Sequence, residues 1–407
     1  MSKLDELIAE LCPEGVEYKS LGEICEIRSG WGFPNVEQGK LKGDYPFYKV
    51  SDMNLAGNET LMTIANNYID ISTASQLGCK PAPEGTIIFP KIGAAIGTNK
   101  KRLLSKESCY DNNIMGLIPS EVIISRYLFY QMSSVNLNNF ADYSGAMPSI
   151  RKTTIEKYII PLPPLLVQRE IVRILDTFTE LIAELIAELI AELTARKRQY
   201  ECYRDKLLSF NIQMGPSSKE QEPKTQTQSY FAGYVPYKPL AEVLTIKNGK
   251  DYKKFSQGSV PVYGSGGIIA HIDQYVYDKP SVLIPRKGSL NKLYYVDFPF
   301  WTVDTIFYTE INSIIVQPKF VFYFLQAQHL ERLNTAGGVP SLTQAMLNKL
   351  LIPVPSLSEQ SRIVAILDRF DALCNDLSSG LPAEIAARQK QYEYYRDKLL
   401  TFKEKSA

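Results

Sequence analysis

Two short stretches concentrate positive charge around small residues. "PKIGAAIGTNKKR", from Pro90, carries Lys91, Lys100, Lys101 and Arg102, and "PRKGSLNK", from Pro285, carries Arg286, Lys287 and Lys292. Ammonium and guanidinium groups on loops suit phosphate oxygens, and base edges where they reach into a groove. A single surface lysine is ordinarily just solvated; two basic loops, each behind a β-branched run that reads as a strand, make a stronger case. Other chemistry fits less well. "GAAIGTNK" at 93 lacks the Gly-Lys-Ser/Thr ending of a phosphate loop, and "GSGG" at 264 reads as a turn. The cysteines at 12, 25, 79, 109, 202 and 374 form no C-x-x-C pair, and His271 and His329 are the only histidines. Zinc is therefore disfavoured, and reduced, mostly buried thiols are expected. No Asn/Asp-Pro-Pro-aromatic motif of amino-methyltransferases is present, nor an acidic cluster suited to a nuclease metal, so no catalytic residue, cofactor site or metal site is assigned to this chain.

The elements that must position these loops are organised by duplication. "PLPPLLVQREIVRILDTF" at 161–178 returns as "PVPSLSEQSRIVAILDRF" at 353–370, and "ARKRQYECYRDKLLSF" at 195–210 as "ARQKQYEYYRDKLLTF" at 387–402. The loop "SGAMPS" at 144 returns as "AGGVPS" at 336, with the same displacement of 192 residues. Upstream the displacement changes: "YKSLGEICEIRSG" from Tyr18 resembles "YKPLAEVLTIKNG" from Tyr237, and "YPFYKVS" from Tyr45 resembles "VPVYGSG" from Val260. This alignment sets Gly30-Trp31 against Gly249-Lys250, and Tyr48 and Lys49 against Tyr263 and Gly264. Trp31, Tyr48, Lys49, Lys250 and Tyr263 thereby join the basic loops as candidate contact residues. From the opening tyrosine to the shared loop the first copy takes 126 residues and the second 99, so each half is a variable part followed by a constant helical part. Within the variable parts "GTIIFP" and "SVLIP" read as strands, and "SRYLFYQM" and "FVFYFLQAQHLERL" as helices, which gives an α+β domain twice.

Between Leu165 and Phe210 there is no Gly or Pro, and Leu, Ala, Glu, Arg and Lys dominate. One helix of about 45 residues, roughly 68 Å long, is expected. Its middle, "LIAELIAELIAEL" from Leu181, repeats one four-residue word. Glu180, Glu184, Glu188 and Glu192 stand at i,i+4, costing a few tenths of a kcal/mol per pair. Each buried Leu or Ile is worth about 1.5 to 3 kcal/mol, so the helix needs a covering surface. The second constant segment supplies one, with a break expected at "SSGLPAE", where Gly380 suits a helix end and Pro382 a helix start. Packed antiparallel, the two segments form a coiled-coil stalk with a pseudo-twofold internal repeat, a globular domain at each end, and a stripe too wide for one helix to cover. Each repeat unit adds about 6 Å and about 40° of rotation, so the repeat could set a distance; a plain dimerisation coil fits the same periodicity equally well.

At 407 residues the chain is long enough for two or three cores. A net charge of +1 excludes a uniformly basic binder but leaves room for local basic loops. No apolar run approaches the roughly 20 residues of a membrane span, and "MSKLDELIAELCPEG" does not read as a signal peptide, so a cytoplasmic protein with no membrane partner is expected.

Together, the duplicated "PLPPL…Q…IxxILD" block, the "QYxxYRDKLL" helix ends and the "CPEGVEYKSLGEI" opening closely resemble the specificity subunit of type I restriction-modification enzymes. The resemblance covers nearly the whole chain. It implies a non-catalytic DNA-reading subunit whose two target-recognition domains each read half of a split sequence in double-stranded DNA. The paired helices would hold them apart and dock two adenine-methylating modification subunits, with S-adenosylmethionine bound in those subunits, and restriction subunits would complete a nuclease. The expected boundaries are a first recognition domain over 1–160, a central helix over 161–210, a polar linker with Pro, Gly and Ser over 211–233, a second recognition domain over 234–352 and a C-terminal helical segment over 353–407. Two rival readings are a free-standing DNA-binding regulator, which the excess apolar helix surface argues against, and a coiled-coil interaction scaffold, for which the duplicated basic loops would be accidental. A steep salt dependence of DNA binding separates the last from the others.

Overall fold

A computed structural model describes residues 2–210, 235–333, 341–375 and 380–405. The linker expected over 211–233 lies outside the described residues, as does the loop "AGGVPS" except for Ser341. The chain forms two compact units, Met1–Ile186 with Ala386–Ala407, and Ala187–Ile385.

In the first unit one sheet runs in the order Cys25–Ser29, Ile114–Pro119, Ile87–Pro90, Arg102–Leu104, Leu61–Met62. "IIFP" is wholly buried, as its unbroken apolar sequence demands of an inner strand. A second sheet orders Tyr68–Ile69, Tyr45–Tyr48, Cys109–Tyr110, the last pair parallel. The second unit repeats the plan. Leu244–Asn248, Ile306–Ile311, Ser281–Pro285 and Tyr294–Val296 form one sheet, and Gly267–Ile272, Gln257–Gly264 and Trp301–Thr302 the other, again with its last pair parallel. Most of the length difference falls at one place: Ile87 lies 39 positions after Tyr48, whereas Val282 lies 19 after Tyr263. The first unit uses that excess for a 3-10 turn, Val50–Asn54, the edge strand Leu61–Met62 and a short helix, Ile71–Gln76, around the strand Tyr68–Ile69 that answers Gly267–Ile272.

"SRYLFYQM" falls in a helix, Ser125–Ser133, and "FVFYFLQAQHLERL" in Pro318–Ala327 followed by a 3-10 turn, Leu330–Leu333. The division in the latter comes at His329, whose φ of 48° no α-helix contains. The central helix, Leu165–Leu208, is continuous over 44 residues. The C-terminal segment is two helices, Leu357–Asn375 and Leu381–Leu399, with Gly380 directly before the second. Pro382 thus stands one place deeper than expected.

Each unit plants a constant helix in its core by the same contacts. In the first, Ile171 and Leu175 are buried among Leu21, Ile24, Tyr127, Leu128 and Ile160; in the second, Ile363 and Leu367 are buried among Leu240, Val243, Phe320, Phe324 and Ile352. The Gln168 amide accepts from Ile124 N (2.9 Å) and donates to the carbonyls of Val122 (3.1 Å) and Pro163 (2.8 Å). Gln360 repeats this with Gln317 N (2.7 Å), Ile315 O (3.1 Å) and Pro355 O (2.9 Å). Asp176 receives Arg126 (2.6 Å) and the Tyr130 hydroxyl (2.5 Å), as Asp368 receives Lys319 (2.8 Å) and the Tyr323 hydroxyl (2.5 Å).

Aromatic contacts then join the helices within each unit, Phe178 with Tyr392 and Tyr395 in the first and Tyr203 with Phe370 in the second. The two ends of the chain meet in the first unit. Val16 N donates to Lys403 O (2.9 Å) and Lys405 N to Val16 O (3.0 Å). The Tyr18 hydroxyl donates to Phe402 O (2.8 Å), just as Tyr237 donates to Phe210 O (3.0 Å) in the second unit. Gly15, at φ +113°, is required there because a Cβ would lie 2.7 Å from Lys403 O.

Replacing Gln168 or Gln360 by Ala strands the backbone groups each amide satisfies, each worth about 1 to 3 kcal/mol. Either substitution is expected to lower the thermal midpoint of its own unit, and the double variant to show the sum, in differential scanning calorimetry. A change confined to one of the two singles would show the equivalence to be false.

Candidate nucleic-acid interface

The loops singled out in the sequence converge in each unit through main-chain bonds of the same pattern. Gly30 lies against the opposite chain so closely that a Cβ would be 2.1 Å from Asp111 O, and Gly249 repeats this at 2.0 Å from Val303 O. Trp31 N then donates to Tyr110 O (3.0 Å), and Lys250 N to Thr302 O (2.8 Å). Asp111 N donates to Tyr48 O (2.9 Å), and Val303 N to Tyr263 O (3.0 Å). Lys91 N donates to Asn113 O (2.8 Å) while its carbonyl accepts from Ile150 N (2.8 Å); Arg286 N donates to Thr305 O (2.9 Å) while its carbonyl accepts from Leu342 N (2.9 Å). Residues far apart in sequence are thereby gathered into one cradle per unit: Trp31, Lys49 and Lys91 in the first, Lys250, Arg286 and Lys287 in the second.

The side chains divide by burial. Lys250, Lys287 and Lys292 are exposed, and Trp31, Lys49, Lys91, Lys100 and Arg286 are half-buried. Lys91 Nζ donates to Ser29 Oγ (3.0 Å), Lys49 Nζ to Gln38 Oε1 (3.1 Å), and Lys100 Nζ to Asn54 Oδ1. Each ammonium has further donors for an incoming anion. Beneath them Asp111 is buried, which lifts its carboxyl above the ordinary value against hydrogen bonds from Asn113 and the charge of Lys49. Burial pulls Lys91 down from its usual value, and Asp111 opposes that.

Other candidates face inward. Tyr48 is fully buried and its hydroxyl donates to Met62 O (2.8 Å). Tyr263 is buried beside Tyr294, with ring centroids 5.6 Å apart. Lys101 is buried, its ammonium donating to Asn99 Oδ1 (2.7 Å) and Val135 O, and Arg102 donates to Lys101 O (2.8 Å) and Met53 O (3.3 Å). The loop sequence "NKKR" shows four polar residues in a row and gives no hint that its last two turn back onto carbonyls of the fold. "GAAIGTNK" forms a 3-10 turn, Gly93–Thr98, closed by Asn99 in the left-handed conformation, and "GSGG" joins two strands of a hairpin.

Some exposed groups at these loops were passed over in the sequence. Lys253 and Lys254 follow Lys250 in "KDYKKF", with Lys254 5.0 Å from the Phe255 ring centroid, a basic-aromatic run that was legible. Tyr143 and Met147 are each 63% exposed around "SGAMPS", which abuts the Lys91 turn through Gly93 N to Pro148 O (2.8 Å). Only tertiary pairing reveals that neighbourhood. Among the described residues no group of three or more His, Cys, Asp or Glu side chains is arranged to hold a metal, and no helix is long and apolar enough to cross a membrane. The cysteines are free and buried except Cys202, and His329 faces Glu331 at 3.4 Å.

A family described as the type I restriction modification DNA specificity domain matches residues 13–195 and again 235–387. The chain belongs to the type I restriction-modification specificity subunits. The type I restriction enzyme EcoR124I/EcoR124II specificity subunit of Escherichia coli is 29% identical over 429 residues, covering 99% of this chain and 98% of that one. A putative type I restriction enzyme specificity subunit of Haemophilus influenzae is 28% identical over 405 residues, covering 95% and 96%. A solved chain from a study of assembly and conformational transition in the type I restriction-modification system has the same fold, with a TM-score of 0.66 at 17% identity over 95% of this chain and 98% of its own. This specificity subunit is thus an α+β protein with a duplicated recognition domain and a long central helix.

In it, burial pushes Lys101 down to about 8, with the Arg396 charge acting the same way. The unfolded lysine holds its proton to about 10.4, so between these values the unfolded chain binds more protons and stability rises with pH. Lys101→Met is expected to flatten that rise relative to wild type, measured as urea unfolding at intervals from pH 7.5 to 10.5. Parallel profiles for the two proteins would show that Lys101 stays charged throughout.

Proposed function

We propose that this specificity subunit reads a bipartite DNA target, each unit taking one half through its cradle, and that the helices fix the separation of the halves. The observation that carries the reading is the twice-built cradle of cationic side chains on one main-chain pattern, joined in the first unit by Trp31. Direct contact is assigned to Trp31, Lys49, Lys91, Lys100, Lys250, Arg286, Lys287 and Lys292, whereas Tyr48, Tyr263, Lys101 and Arg102 shape the loops. Phosphate contacts set register and base-edge contacts set sequence.

Docking of two modification subunits is supported by apolar surface left uncovered on the constant helices. Leu189 is buried, but Leu181 is 57% and Ile190 51% exposed, and Tyr394, within the duplicated "QYxxYRDKLL" motif, is 63% exposed. Adenine methylation and its S-adenosylmethionine belong to those subunits, and restriction subunits join them; this chain supplies recognition and no catalytic group.

Removing one four-residue unit from "LIAELIAELIAEL" shortens the helix by about 6 Å and turns it by about 40°. Methylation-site sequencing of a host carrying that deletion is expected to show both half-sites unchanged and the gap between them altered by about one to two base pairs, given 3.4 Å per base pair. Altered half-sites, or an unaltered gap, would contradict the proposal.

A further inference from the structure

The duplication allows a comparison that one recognition domain alone would not. Each unit was built on the same main-chain pattern, so equivalent positions can be matched by hydrogen bonds rather than by sequence similarity. At one position the chemistry is kept. Lys91 and Arg286 each follow the proline that closes a buried strand, Pro90 and Pro285, which pairs with Ile114 and Ile306 respectively. Each is held by one bond given and one received, to Asn113 and Ile150 in the first unit and to Thr305 and Leu342 in the second. Both residues are cations. The residues whose amides donate to their carbonyls, Ile150 and Leu342, lie in the part of the chain that recurs with the constant displacement of 192 residues.

At the neighbouring position the chemistry is not kept. Trp31 and Lys250 follow glycines pressed against equivalent carbonyls, of Asp111 and Val303, and their amides donate to equivalent acceptors, yet one side chain is an indole and the other an ammonium. Lys49 and Gly264, the residues after the paired tyrosines, differ just as much. A contact to phosphate is the same whatever the bases, and a contact to base edges is not. A fold used twice on two different half-sites must therefore retain the first kind and vary the second.

Resting on the function proposed above, we infer that Lys91 and Arg286 are twin phosphate anchors blind to sequence, and that Trp31 and Lys250 are the paired positions that discriminate bases. Lys250 offers donors only, which suits the O6 and N7 acceptors of guanine; Trp31 offers an apolar face and a single N–H, which suits a thymine methyl. The two readers differ because the two half-sites differ.

The test uses the full chain co-purified with its modification subunits and a randomised duplex pool, sequenced after binding, followed by titration of the best duplex across a salt series. Lys91→Gln and Arg286→Gln are each expected to weaken all bound sequences alike, to leave the order of preference intact, and to lower the slope of log affinity against log salt by about 0.9, the value for one lost phosphate contact. Lys91→Arg and Arg286→Lys, each borrowing the residue of the other unit, should restore binding, which a merely misfolded loop would not do. Trp31→Lys and Lys250→Trp should each change the preferred base at one position of one half-site, with a loss of about 5- to 150-fold on the original duplex and none of the uniform weakening. If wild type prefers no duplex over competitor DNA, the proposed function itself fails. If wild type is selective but the Lys91 or Arg286 variants change which bases are chosen, or the Trp31 and Lys250 variants do not, the division of labour fails and the broader reading stands.

Discussion

Two backbone segments in each unit approach so closely that no side chain fits between them, and the placement of the candidate loops depends on that approach. A Cβ on Gly30 or Gly249 would sit about 2 Å from a carbonyl oxygen, well inside any contact real Cβ atoms make. With glycine there, the next amide reaches its acceptor on the short parallel strand, and the residue after the glycine is delivered beside the cationic turn. The strand pairing alone would end earlier. What extends it is the lack of a side chain at one position, and this is why Trp31 and Lys250 stand in equivalent places despite sharing no chemistry.

The same economy explains how one framework serves two readers. The inner strand order repeats, and the buried amides of Gln168 and Gln360 repeat bond for bond, because every buried polar group must be satisfied and there are few ways to do it. The loops facing outward carry no such obligation. Length is equally free there: the excess of the first unit lies mainly between Tyr48 and Ile87, at the edge of its sheets, where insertion leaves the inner strands undisturbed. In the first unit the chain ends close upon each other as Phe210 and Tyr237 do in the second, so the duplicated plan includes its own joints.

The central helix is governed by a different balance. Its glutamates at i,i+4 oppose one another by a few tenths of a kcal/mol per pair, and its leucines and isoleucines gain far more when covered. Arg196 answers Glu192 at 3.4 Å, an exposed pair of small worth. Leu189 is covered, whereas Leu181 and Ile190 are exposed.

Sequence by itself determined the duplication, the α+β character, the uninterrupted helix and the pairing of Gly30-Trp31 with Gly249-Lys250, because each is a matter of local pattern: apolar period, absence of Gly and Pro, or direct repetition. The strands "IIFP" and "SVLIP" and the basic residues behind them were legible for the same reason. Burial was not. Tyr48, Lys101 and Arg102 read as surface groups on a loop, and only the folded chain brings Met62, Val135 and Met53 carbonyls within their reach. Nor could Met147 be placed beside Lys91, or Lys405 beside Val16, since those neighbours are joined by hydrogen bonds between distant segments and no local preference encodes them. Pattern fixes which elements form; the satisfaction of buried polar groups, a property of the whole fold, decides which side chains are left facing the solvent.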